Sequence, residues 1–106
     1  MGATLDHVSI SKKANIYFDG KCISYNLTFP DQVRKTIGVI LPSALTFATD
    51  LPEVMEIVEG KCRARVGPTG EWKNYEGGQQ FRVPGKSSFD IEVTEPVHYV
   101  CHFHSQ

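Results

Sequence analysis

The chain has 106 residues, with 11 Lys and Arg against 12 Asp and Glu for a formal charge of −1, and is 41% hydrophobic and 22% charged. A chain of this size buries roughly two-thirds of its unfolded surface, which allows one core with a small cleft and excludes two independent domains. The balanced charge supplies no field to gather a polyanion, and no apolar stretch approaches the ~20 residues of a membrane helix, so neither nucleic acid nor a membrane is expected as partner.

Residues 1–13 read as a flexible N-terminal tail and 14–106 as the folded domain. Polar Asp6, His7, Ser9 and Ser11 stand where a secretion signal would be apolar, which points to a cytoplasmic protein. Prolines at 30, 42, 52, 68, 84 and 96 punctuate the rest. Between them lie nine segments rich in β-branched and aromatic residues: Ile16 to Phe18, Cys22 to Leu27, Thr36 to Leu41, Leu45 to Ala48, Val54 to Val58, Cys62 to Val66, Gln80 to Val83, Phe89 to Val93 and Val97 to Phe103. Phe89-Asp90-Ile91-Glu92-Val93 alternates strictly, as a half-buried strand does. No long window keeps a period of 3.6, so the expectation is an all-β sandwich or barrel. Cys22, Cys62 and Cys101 are odd in number, about forty residues apart and set in apolar segments; they read as buried free thiols.

Two stretches resemble the paired signatures of the cupins. The first runs from Thr46 through Glu53 to Gly60, the second from Gly78 to Pro84, and the resemblance implies a single-domain jelly-roll β-barrel. The cupin histidine positions hold Thr46 and Ala48 in the first motif and one of Lys86, Ser87, Ser88 or Phe89 in the second. One surviving carboxylate cannot hold a transition metal, which needs three or four converging donors, so no metal is expected. A longer resemblance spans Tyr17 to Cys101. Its strings Tyr17-Phe18-Asp19-Gly20-Lys21, Pro52-Glu53-Val54-Met55, Trp72-Lys73-Asn74-Tyr75-Glu76-Gly77-Gly78 and Glu95-Pro96-Val97-His98-Tyr99-Val100-Cys101 are similar to the pyrimidine/purine nucleoside phosphorylase family. That resemblance implies a homodimeric enzyme splitting a broad range of nucleosides with inorganic phosphate into free base and pentose 1-phosphate, without an organic cofactor.

Such chemistry needs an anion clamp, a sugar-orienting group and a base site. Arg34 is the first choice for phosphate, because its fork donates two parallel hydrogen bonds; the competing reading is a solvated turn cation. Glu53, at the inward-pointing cupin position, would accept ribose hydroxyls and face the charge building on the sugar, or else is a turn carboxylate after Pro52. Thr46 and Thr49 offer neutral donors or are plain strand residues. Phe47, Trp72 and Tyr75 would contact the base or pack in the core, with the Tyr75 hydroxyl a candidate partner of the leaving base. Arg82 reads either way, and Ser87, Ser88 and Lys86 would bind phosphate oxygens or form a simple turn. Lys61, Arg63 and Arg65 share one strand face and read as the wet side of a sheet. His102 and His104 share a face by alternation and would have to carry any metal-dependent alternative; His98 is a weaker candidate. The rival class is a non-catalytic cupin that binds a sugar or nucleotide as a sensor or partner module.

Overall fold

The computed structural model describes residues 3–104, so residues 1, 2, 105 and 106 lie outside the described part. Nine strands form one antiparallel sheet: β1 (Ser9–Ile10), β2 (Asn15–Tyr17), β3 (Cys22–Thr28), β4 (Arg34–Ile40), β5 (Ser43–Ala48), β6 (Glu53–Val66), β7 (Lys73–Glu76), β8 (Gln80–Val83) and β9 (Ser88–Phe103). The single helical element among the described residues is a 3-10 turn at Phe18–Gly20. The sheet closes around two long strands, as the jelly-roll expectation requires. β9 pairs with β6 along one edge, and its other edge is shared between β5, over Ser88 to Val93, and β4, over Val97 to His102. In the same way β6 gives its first half to β8 and its second to β7.

β6 and β9 each unite two segments that read as separate strands. Pro96 lacks the N–H a ladder needs, yet it falls in the gap where β5 has ended and β4 has not begun, so no bond is lost on that edge. Opposite it, β6 carries a bulged stretch between Ile57 and Cys62 that contains Gly60 at φ +107. A Cβ on Gly60 would land on the Pro96 carbonyl, so only glycine fits this bend. The bulge also changes which residues face inward. Met55 and Ile57 are buried before it and Cys62 and Ala64 after it, a switch from odd to even positions. Lys73 to Glu76 is outside the nine segments read as strands, and it is held as β7 by pairing with Lys61 to Ala64. Within the expected tail, Ser9 and Ile10 pair with Thr28 and Leu27.

The core fills the barrel with Ile40, Ile57, Ile91 and Val97, each wholly removed from solvent, and with Met55, Phe81 and Phe89. Each such side chain contributes about 1.5–3 kcal/mol through burial. All three cysteines are free and buried, as their apolar settings suggest.

Candidate active site

One end of the barrel stays hollow. An inner cavity of about 360 Å³ lies between β3, β4, β5, β6 and β9, with Phe18, Phe47, Phe89 and Met55 on its apolar side and Ser24, Thr36, Glu53, Tyr99 and Cys101 on its polar side. It opens into a wider vestibule of about 720 Å³ whose walls include Asn26, Asp31, Arg34, Lys35, Asp50 and His104. Tyr17, Thr36, Ala48, Glu53 and Phe103 line both spaces and so mark the throat between them.

Glu53 opens β6 with its side chain inward, opposite Val83 and Phe103. Its Oε1 accepts the Cys101 thiol at 3.4 Å, and it makes no ion pair among the described residues. Burial raises its pKa above the usual carboxylate value, an effect the thiol hydrogen bond partly offsets. Cys101 is itself pushed far up, first by burial and then by the Glu53 charge, so it stays a protonated donor; the Thr36 hydroxyl also bonds it. At the inner end Tyr99 is 6% exposed. Its hydroxyl lies 3.5 Å from the Cys22 sulfur and also bonds Ser24. Burial, then Cys22, raise its pKa strongly, so the phenol offers a hydrogen bond and not a proton. The glycine between makes this reach possible. Gly38 pairs with Ser24 on one side and Tyr99 on the other, and a Cβ there would strike Ser24.

Aromatic rings form the remaining wall. Phe47 stacks on Phe89 with centroids 5.2 Å apart, and Phe18 meets Phe47 edge-on at 5.3 Å. Phe18 and Asp19 both sit at φ 54, followed by Gly20 at φ 89. For a phenylalanine the left-handed region is disfavoured by about 1 kcal/mol or more, so the turn holds this ring in place against its own preference.

The structure thus brings Arg34, Glu53 and Phe47 to one connected space, with Arg34 in the vestibule, Phe47 inside and Glu53 at the throat. The Arg34 side chain makes no hydrogen bond or ion pair among the described residues. The other candidates lie elsewhere. Thr46 touches the cavity wall, but its hydroxyl donates to Asp90 Oδ1 at 2.6 Å on the outer face. Thr49 clips two loops together: its hydroxyl donates to the Pro84 carbonyl and accepts the Ser87 N–H. Ser88 pairs with Ala48, and Lys86, Ser87 and Ser88 lie outside the walls of both spaces. Tyr75 packs at a tilt against Phe81 and borders, with the outward-facing Arg82, a separate depression between β7 and β8. Trp72 lies under two guanidinium groups, Arg63 at 4.5 Å and Arg65 at 4.9 Å.

Those arginines belong to a ladder on the outer sheet, as their shared face suggests: Arg63 bonds Glu92 at 2.7 Å and Arg65 bonds Asp90 at 2.8 Å. The Thr46 hydroxyl and then Arg65 hold the Asp90 carboxyl below its usual range. His102 and His104 part company: the former bonds Glu56 at 2.8 Å on the outer face, whereas the latter, past the strand end, lines the vestibule. Among the described residues no three His, Cys, Asp or Glu side chains converge as metal ligands, and the polar groups lining the inner cavity are one carboxylate, one thiol and hydroxyls, with no imidazole. That set does not fit the imidazole-rich cage of a metal cupin. Phe18, Thr36, Tyr99 and Cys101 escape sequence reasoning, because each sits in a strand or turn string whose composition is satisfied by core packing alone.

Comparison with known proteins assigns this architecture. The family model for pyrimidine/purine nucleoside phosphorylase matches residues 12–103. A protein of that name from Cupriavidus metallidurans is 64% identical over 98 residues, covering 92% of this chain and 95% of the relative. A crystal structure of a protein of unknown function from Acinetobacter sp. ADP1 superimposes with a TM-score of 0.94 at 48% identity, covering 97% of this chain and all of that one. At the level of fold alone, an oxalate decarboxylase of Bacillus subtilis superimposes with a TM-score of 0.69 at 18% identity, over 86% of this chain and 28% of that one. The hollow barrel with its throat carboxylate is therefore a cupin barrel, and the chain belongs to the pyrimidine/purine nucleoside phosphorylase family.

Proposed function

We propose that this protein is a nucleoside phosphorylase of broad specificity, a pentosyltransferase that takes purine and pyrimidine nucleosides with inorganic phosphate to free base and pentose 1-phosphate. The observation that carries the reading is the linear order of its groups. Phe47 and Phe89 line only the inner cavity, Arg34 only the vestibule, and Glu53 both. A nucleoside seated with its base among the rings puts the ribose at the throat, and phosphate held by Arg34 then approaches C1′ from the side opposite the departing base, as in-line displacement requires.

In that arrangement the C1′–O bond to phosphate forms as the C1′–N bond breaks. The electron pair leaves with the base, and the proton that hydrogen phosphate sheds ends on the base through solvent. Glu53 accepts ribose hydroxyls and places negative charge beside the positive charge that builds on the sugar. A carboxylate with little competing solvation and no cation beside it is suited to that task. The buried Tyr99 hydroxyl supplies a neutral donor toward base acceptors. The reaction on this reading uses no metal and no organic cofactor, in keeping with the donor set at the throat.

The same reading includes a homodimer in the cytoplasm. Ile23, Tyr25 and Ile37 stand more than a third exposed on neighbouring outward positions of β3 and β4, an apolar sheet face suited to a second copy. Three free thiols suit a reducing compartment. Incubation with uridine, adenosine or inosine tests the activity: phosphate-dependent release of free base that persists with chelator supports it, and tight binding without turnover favours the sensor alternative. Light scattering tests the dimer, which a stable monomer at micromolar concentration would contradict.

A further inference from the structure

The turn at Phe18–Gly20 is the one place on the cavity rim where the backbone adopts three left-handed residues in succession, two of them not glycine. What that conformation achieves is visible in the contacts. Phe18 stays 43% exposed, so the ring is not there to complete the core, yet it lines the inner cavity and meets Phe47 edge-on at 5.3 Å with an interplanar angle of 80°. Lys21 closes the turn by donating to the Phe18 carbonyl at 3.1 Å. Behind Phe47 the stack on Phe89 leaves no freedom for that ring to retreat. The pair therefore presents a partly buried aromatic surface and a solvent-reaching one at the same opening.

We propose that Phe18 is a base-binding residue that holds the base of the nucleoside by its ring face. The proposal rests on the reading that the inner cavity takes the base, and it accounts for breadth. Purines and pyrimidines differ in their edge groups but share a π-face, so recognition by rings tolerates both, whereas a hydrogen-bond code would choose between them. The left-handed turn is what aims the ring: with ordinary strand geometry, position 18 would continue β2 instead of turning over Phe47.

Three substitutions test this, because Phe18 is exposed enough for each variant to fold. Phe18→Leu keeps apolar volume without a π-face, Phe18→Asn keeps a residue that tolerates the left-handed backbone, and Phe18→Tyr keeps the ring. The expected result is a rise of about tenfold in the KM of both adenosine and uridine for the Leu and Asn variants, with the phosphate KM unchanged and with Tyr near wild type. Calorimetric titration with free adenine gives a readout that needs neither phosphate nor turnover, and its affinity should fall in parallel. A Leu variant with wild-type nucleoside KM and adenine affinity overturns the proposal, as does an equal rise in nucleoside and phosphate KM. If the wild-type protein releases no base, the phosphorylase reading fails, while the adenine titration still decides whether Phe18 holds a base.

Discussion

The throat of the barrel and the outer ladder on its far half use the same residue types to opposite ends. In the ladder, Arg63, Arg65, Glu92, Asp90, Thr46 and Trp72 satisfy one another through short ion pairs, a hydroxyl bond and ring contacts, all near solvent. At the throat and vestibule Arg34 is unpaired among the described residues and Glu53 has a thiol for company but no cation. A charge that is already neutralised has nothing left to offer a ligand. Leaving it unmatched lowers stability and keeps its interactions available for a sugar or a phosphate.

Breaking the unmatched side should affect turnover, and the largest effect belongs to Glu53. Glu53→Gln should lower kcat/KM by about 100-fold or more, read by phosphate-dependent base release. The same variant should unfold at a higher temperature than wild type at neutral pH. Because the folded-state pKa of Glu53 is raised, its stabilising contribution is complete below the ordinary glutamate pKa and is lost as pH rises through the folded value. Removing the carboxyl flattens that decline, and a melting temperature that falls with the substitution would contradict the burial argument. For the wild-type enzyme, the acid limb of the kcat/KM profile should lie above the ordinary carboxylate range, since Glu53 must be ionised to act.

Next in size, Arg34→Lys should raise the phosphate KM by about tenfold while the nucleoside KM and the circular dichroism stay put, a lysine being a point charge where the fork was used. Wild-type phosphate kinetics would remove Arg34 from the clamp. On the matched side the expected changes are small. Trp72→Ala should leave kcat/KM within about twofold and lower stability by about 1 kcal/mol, as loss of two exposed cation–π contacts implies. Thr46→Val should be smaller still, about 0.5–1 kcal/mol in denaturant titration with no kinetic change. A kinetic defect in either variant would bring the ladder into the site after all.

The barrel was legible from alternation and turn chemistry, because strands such as Phe89 to Val93 advertise their two faces. Continuity across Pro96 was not legible, since a proline normally ends a ladder and only the handover from β5 to β4 makes it harmless. β7 stayed hidden because Lys73 to Glu76 owes its conformation to a distant partner and not to its own residues. For the site, Arg34, Glu53 and Phe47 stood out by chemistry or motif position. Trp72, Tyr75 and Arg82 stood out for the same reasons and yet lie elsewhere, because residue type does not reveal which half of a bent strand a neighbour pairs with. Tyr99 and Cys101 look like core from their alternation, and they are core; what makes them matter is the cavity they line at the open end of the barrel.

The bend at Gly60 gives the molecule a parity it cannot afford to lose. Were β6 to run from Ile57 to Cys62 in simple alternation with no bulge, the guanidinium groups of Arg63 and Arg65 would be driven into the hydrocarbon interior while Cys62 and Ala64 surfaced. Gly60→Val, whose Cβ would strike the Pro96 carbonyl and forbid the bulge, should therefore fail to fold. By contrast, the hairpin from Gly67 to Gly70 joins two strands whose facing is set independently of its length, so that is where this enzyme can be lengthened, tagged or fused.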